Sequence, residues 1–234
     1  MVVISKGEKY IMAMEVNKNT TSKTIYYKLR KEIINIYLEP GIGISEKNLS
    51  EKYGVSRTPV REALVRLEQE GLVNIYPQRG TIVSLIDLSA VEEGRFLREH
   101  LERAVVKEAC NKFSKENLLD LEMNLKFQKM CIENHDYKKL FEADEEYHKI
   151  IFDGCNKKRI WKSISDSSSE FQRIRVLRLV YNQSCDGIYE QHKEIFNAIE
   201  NKNAKIAEES MRNHLNMVVF DKNQVIEIYP NYFK

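Results

Sequence analysis

Apolar positions along the first third of the chain repeat with a helical period and then switch to a strand-like one. Ile25, Leu29, Ile33 and Ile36 lie on one helical stripe, with Ser22 placed to cap it and Pro40-Gly41 to end it. Ser45 caps a second helix, in which Ile44 and Leu49 occupy the two positions of a hydrophobic staple, and the helix runs to Tyr53. Gly54 tolerates the left-handed conformation that stops it. Val60, Ala63, Leu64 and Leu67 then recur at i, i+3, i+4 and i+7. Ser56 or Thr58 caps this third helix, Pro59 sits in its first turn, and Gly71 ends it. The short runs VNIY and TIVSLI flank Pro77-Gln78-Arg79-Gly80, which predicts a hairpin. Beyond Asp87-Leu88-Ser89 the pattern is helical throughout, with helices expected at about 89–111, 114–134, 137–152, 157–182, 186–201 and 203–223. Ser89 and Ser114 are the expected N-caps, and Gly154 and the NQSCDG stretch mark breaks. The expected division is a flexible arm over 1–21, a three-helix unit with a hairpin over 22–86, and an all-helical bundle over 87–234 whose last residues, IEIYPNYFK, fray or pack on a neighbour.

Composition narrows the class. The 234 residues are 42% hydrophobic and 31% charged, enough for two soluble domains with their own cores. Net charge is only +2, so binding to nucleic acid requires a local basic patch. No apolar run approaches a membrane span and no signal-peptide core opens the chain, which predicts a cytoplasmic protein. Cys110, Cys131, Cys155 and Cys185 are widely spaced without a CxxC, and read as reduced packing thiols.

The third helix carries candidate chemistry at its start. Arg57 and Arg61 project away from the apolar stripe, and an arginine grips guanine O6 and N7 through two hydrogen bonds. Ser56, Thr58 and the helix N-terminus suit a phosphate. Arg79 and Gly80, at the hairpin tip, suit the minor groove or the DNA backbone. Arg66 lies four residues from both Glu62 and Glu70 and reads as part of a surface ion pair. A plain solvated face on a three-helix core is the competing reading.

The run YGVSRTPVREALVRLEQEGL, with LEQEGLV and the following RGTIV, resembles the recognition helix and wing of the GntR family of bacterial regulators. That resemblance implies a winged helix-turn-helix, a homodimer on a palindromic double-stranded DNA operator, and operator contacts by Arg57 and Arg61. It also implies a basic contact at Lys47, in the second helix. Better known relatives carry Arg there, and Lys lacks the forked geometry, so a phosphate contact is expected instead.

The helical part holds a second constellation. Asp144 and His148 share a face with Leu140 and Ile151. His192 shares one with Ile188, Ile195 and Ile199, and His214 one with Ala207, Met211 and Val218. One core-facing histidine is ordinarily a hydrogen-bonded core residue. Four such groups need mutual satisfaction, since each unpaired buried polar group costs about 1–3 kcal/mol. A divalent ion satisfies all four, and zinc, nickel, iron and manganese all suit this donor set, with zinc placed first. The bundle resembles the FCD ligand-binding domain of the FadR subfamily, so that the two resemblances together span residues 22–223. In the metal-binding FCD domains an Asp-x-x-x-His pair and two later histidines hold the ion, which implies that role for Asp144, His148, His192 and His214. It also implies a small carboxylic-acid effector met by Arg98, in FLREHLE. The other reading of Arg98 is an ion pair with Glu102 on an exposed face. Arg173 and Arg175 are further candidates for the acid. The expected function is therefore a regulator whose operator binding is set by a small organic acid at a metal site. The rivals are a metal-dependent enzyme acting on a small acid and a DNA-binding dimer that needs no ligand.

Overall fold

A computed structural model describes residues 21–182 and 186–234; the expected arm and Cys185 lie outside the described residues. Helices α1 (Ser22–Ile34), α2 (Glu46–Tyr53) and α3 (Arg57–Gln69) pack around Ile25, Leu29, Ile33, Leu64 and Leu67, all wholly buried. Strand β1 (Gly43–Ile44), unanticipated, joins the hairpin strands β2 (Val73–Tyr76) and β3 (Gly80–Val83) in an antiparallel sheet of order β1-β3-β2. The register pairs Val73 with Val83 and Tyr76 with Gly80. Gln78 and Gly80 make the turn with φ of 63° and 104°, and only glycine takes the second of these readily. Together these elements form a winged helix-turn-helix.

Five expectations about element ends need correction. Thr21, not Ser22, caps α1, accepting from the Thr24 amide. That helix ends at Ile34 rather than at Pro40, because Ile36 adopts a left-handed φ of 57°. Asp87, not Ser89, caps the first bundle helix: its carboxylate accepts from the Ser89 and Ala90 amides. The helix expected over 157–182 is two helices. Ser167, Ser168 and Ser169 fall in succession, and the Ser168 hydroxyl bonds back to the Ile164 carbonyl, an alternative to continuing the helix. The final helix extends five residues past the expected end, to Ile228.

The bundle comprises α4 (Leu88–Lys112), α5 (Lys115–Glu133), α6 (Tyr137–Gly154), α7 (Lys158–Ser167), α8 (Ser169–Asn182), α9 (Asp186–Glu200) and α10 (Ala204–Ile228). Ser114 does cap α5, in a reciprocal capping box with Asn117. Gly94 lets α4 approach the α7–α8 break closely; a Cβ there would meet Phe171 at 3.1 Å and the Ser168 backbone at 3.3 Å. After α10 the chain does not fray. A 3-10 turn over Pro230–Tyr232 returns to the joint between wing and bundle, where the Ile86 amide donates to the Tyr232 carbonyl and the Lys234 amide to that of Ile86.

Two arginines fasten the winged helix to the bundle. Arg30 on α1 donates to the Ser165 carbonyl and the Ser169 hydroxyl, and also to Glu70 at the C-terminal end of α3, 3.0 Å away. Arg173, one of the acid candidates, turns from the bundle interior and donates to the Ser84 carbonyl at 2.6 Å.

Candidate nucleic-acid interface and metal centre

The groove between α3 and the hairpin is lined by Lys47, Arg57, Arg61, Arg79 and Gly80, so five residues picked from separate stretches of sequence converge. All five are exposed, as are Ser56 and Thr58 at the start of α3. Ser56 is the N-cap residue, yet its hydroxyl makes no capping bond. Arg61 is held in a fork by Glu46, both contacts being 3.1 Å. Such an exposed pair contributes little to stability and yields to a stronger anionic partner. Arg66 departs from expectation: its guanidinium stacks 3.9 Å over the Tyr26 ring, while Glu70 accepts from Tyr26 and Arg30 instead.

The second constellation closes in the centre of the bundle. Asp144 and His148 come from α6, His192 from α9 and His214 from α10, each from the buried face that its apolar neighbours define. One ligand atom from each of the four lies within 4.8 Å of the others. The Nε2 atoms of His148 and His192 stand 3.1 and 3.2 Å from Nε2 of His214. Oδ1 of Asp144 is 3.7 Å from His192 Nε2 and 3.9 Å from His214 Nε2.

The groups behind the histidines bear on where their protons sit. The Nδ1 atom of each histidine faces outward onto an oxygen. His192 meets Gln128 Oε1 at 2.8 Å, His214 meets Gln191 Oε1 at 3.1 Å, and His148 meets the Glu102 carboxylate. The Gln128 and Gln191 oxygens favour the proton on Nδ1 of His192 and His214. Burial lowers the pKa of His192 to about 3 and that of His214 well below the usual histidine range, so both rings are neutral at ordinary pH. Their facing Nε2 atoms are then two lone pairs opposed at 3.2 Å with no proton between them. A cation satisfies that arrangement. Two imidazole nitrogens bound about 2.0–2.1 Å from one ion, at right to tetrahedral angles, stand roughly 2.8–3.4 Å apart, which the observed spacings match.

The surrounding charges hold the cluster in register. Arg98 is wholly buried, not exposed, and its pairing with Glu102 is real: Nε donates to Glu102 at 2.5 Å and Nη1 to Glu145 at 2.7 Å. Its Nη2 has no partner among the described residues. Burial alone raises a carboxyl pKa, yet Arg98 beside Glu102 outweighs it and holds that group at about 2. Arg175 is the candidate that turns inward, bonding both Asp144 and Glu145. With Asp144, Arg178 and His214 it lines a cavity of about 20 Å³, room for roughly one water molecule.

In the sequence Glu102 is legible only as a partner of Arg98, and Gln128, Glu145, Gln191 and Arg178 are not legible as site residues. Gln128 does carry a partial signal, because it continues the Leu121, Leu125 stripe of α5 at i+7 and is polar where that stripe is apolar. Cys110, Cys131 and Cys155 are buried and unpaired, with burial raising the Cys155 pKa to about 11, which fits packing thiols. Among the described residues no helix is long and apolar enough to cross a membrane.

A winged helix with a basic groove, joined to a helical bundle with a polar centre, defines a DNA-binding transcriptional regulator. Residues 21–83 match the gntR family of bacterial regulatory proteins and residues 95–217 match the FCD domain. The HTH-type transcriptional repressor RspR of Escherichia coli K12 is 30% identical over 225 residues, covering 95% of this chain and 99% of its own. An HTH-type transcriptional regulator in an unstable DNA locus of Streptomyces ambofaciens is 32% identical, covering 94% and 92%. The solved structure of E. coli McbR/YncC shares the fold with a TM-score of 0.78 at 20% identity, over 88% of this chain and 98% of its own. The chain belongs to the GntR family of bacterial transcriptional regulators, in the group that carries an FCD domain.

Proposed function

We propose that the protein is a homodimeric operator-binding regulator controlled by a small organic acid, which binds at a divalent metal held by Asp144, His148, His192 and His214. The opposed lone pairs of His192 and His214 carry this reading, because a shared cation satisfies two neutral imidazoles so placed. Oδ1 of Asp144 and three Nε2 atoms are the donors, while Oδ2 stays with Arg175. Imidazole with one carboxylate suits zinc, nickel, iron or manganese. Once bound, the ion supplies positive charge and open coordination positions for a carboxylate. The unpartnered Nη2 of Arg98 offers that acid a buried charged donor.

The adjoining cavity holds little more than a water, so an acid enters only as its lining moves, and Phe171, Arg175, Arg178 and Leu179 of that lining lie on α8. Movement there reaches the DNA-reading element by a short route. Arg175 and Gln172 on α8 both bond Glu145, and Ser169 at the start of α8 bonds Arg30, which holds Glu70 at the end of α3. For DNA, Arg57 and Arg61 are the base-reading groups. Lys47, Ser56 and Thr58 are the phosphate contacts, and Arg79 and Gly80 form the wing contact. Leu119, Met123 and Phe127 form an exposed apolar stripe on α5, which supports a second copy as partner.

The acid is a signal only if it binds the DNA-competent and DNA-free arrangements unequally. The test is operator affinity of metal-loaded protein titrated with a panel of small mono- and dicarboxylates, against chelated protein as control. The expected result is that one acid changes affinity severalfold, and only when the ion is present. An unchanged affinity across the panel, or a response that survives chelation, contradicts the reading.

A further inference from the structure

We propose that Asn124 and Gln128 are positioning residues that lock the tautomer of His192, so that its Nε2 lone pair always faces the metal position; this rests on the metal reading above. A chain of three hydrogen bonds starts at a backbone carbonyl. Asn124 Nδ2 donates to the Ala143 carbonyl at 3.0 Å, Gln128 Nε2 donates to Asn124 Oδ1 at 2.7 Å, and Gln128 Oε1 lies 2.8 Å from His192 Nδ1. The direction of every link follows from the first. A peptide carbonyl only accepts, so Asn124 must present its NH₂ to Ala143. Its oxygen then faces Gln128, which must answer with its own NH₂. The Gln128 oxygen is left for the ring, and His192 must carry its proton on Nδ1. The opposite tautomer would set a lone pair against the Gln128 oxygen and point a proton at the ligand cluster.

The ring itself is clamped. Tyr147 stacks on it with centroids 4.2 Å apart and planes 15° from parallel, and the Tyr147 hydroxyl donates to the His192 backbone carbonyl at 2.8 Å. Gln128 and His192 are wholly buried, so water does not compete for the bond between them. Ala143 directly precedes Asp144. One turn of α6 therefore both presents the carboxylate ligand and, through two amides on α5, sets the proton on a ligand of α9. The other two histidines are set more directly, by a carboxylate and by a neighbouring glutamine.

The experiment uses the full chain and compares wild type, Gln128→Met, Gln128→Glu and Asn124→Ala. Imidazole ¹⁵N spectra of the metal-free protein read the tautomer, and zinc titration against a competing chelator reads affinity. Wild type should show His192 protonated on Nδ1 alone. Gln128→Met, similar in size but without the acceptor, should populate the other tautomer and weaken zinc binding about 10- to 100-fold, the usual effect of removing a partner behind a ligand. Gln128→Glu should recover most of that loss, which a packing role alone would not predict. Asn124 is only partly buried, so Asn124→Ala provides a milder variant, with a smaller loss in the same direction, should Gln128→Met fail to fold. Zinc binding by Gln128→Met or Asn124→Ala equal to wild type, or a wild-type His192 protonated on Nε2, overturns the relay while leaving the metal site standing. Failure of wild type to take up any ion overturns the metal reading beneath it, whatever the tautomer.

Discussion

The basic groove and the buried cluster place similar residue types under opposite physical rules. In the groove Arg61 and Lys47 sit in water, each beside one acid, Glu46 at 3.1 Å and Glu51 at 3.9 Å, and either pairing can be exchanged for a phosphate or a base. In the bundle Arg98 and Arg175 are out of water and knotted to Glu102, Asp144 and Glu145, and Glu102 in turn meets His148. Exposed charges act one at a time and contribute to binding rather than to folding. Buried charges act as a unit, and removing one leaves its partners uncompensated. Binding specificity can thus be altered residue by residue in the winged helix, whereas in the bundle the same kind of change puts the fold at risk.

Substitutions at the two sites should separate these rules sharply. Glu102→Ala should have the largest effect, because it strips both Arg98 and His148 of a buried partner. A loss of about 3–5 kcal/mol is expected, seen as a fall in melting temperature on the order of 10 °C. A fall of a degree or two would mean that the network relaxes as readily as a surface pair. Removal of the ion comes next. Protein holding it at a thousandfold excess over Kd should lose about 4 kcal/mol of stability on chelation, and His192→Ala should show no response to the chelator. Arg61→Ala should leave the melting temperature unchanged while weakening operator binding by about 1–3 kcal/mol per half-site and relaxing preference at one base pair. Binding to a set of operator variants is the check, and unchanged preference would place the reading face elsewhere. The smallest effect belongs to Lys47→Ala, expected to weaken binding evenly across sequences and to reduce the salt slope by about one.

The two sites also differed in how much of them the sequence disclosed. The helices of the winged domain were legible because Val60, Ala63, Leu64 and Leu67 form a clean stripe and Gly54 and Gly71 punctuate it, and both glycines do take positive φ. The four inward groups of the bundle were legible for the same reason, each standing on an apolar face. What stayed hidden depends on angles that a one-dimensional period does not carry. Ser168 breaks a helix within an uninterrupted pattern, and Thr21 and Asp87 take capping roles that neighbouring serines would also have filled. Glu102, Gln128 and Gln191 reach the histidines across helix interfaces, or by a side-chain turn, so spacing alone could not assign them. Arg173 and Arg175 stand two apart on α8; one turns out to Ser84 and the other in to Asp144, as their separation of about 200° around a helix requires.

We propose that Asp144, His148, His192 and His214 stand together to hold a cation. The decisive measurement is elemental analysis of protein purified without chelator or affinity tag, followed by calorimetric titration of the stripped protein with zinc, nickel, iron(II) and manganese. The expected result is one divalent ion per chain, lost in an Asp144→Ala, His148→Ala, His192→Ala or His214→Ala variant. Well under one ion per chain in the purified protein, with none taken up on addition, would contradict it.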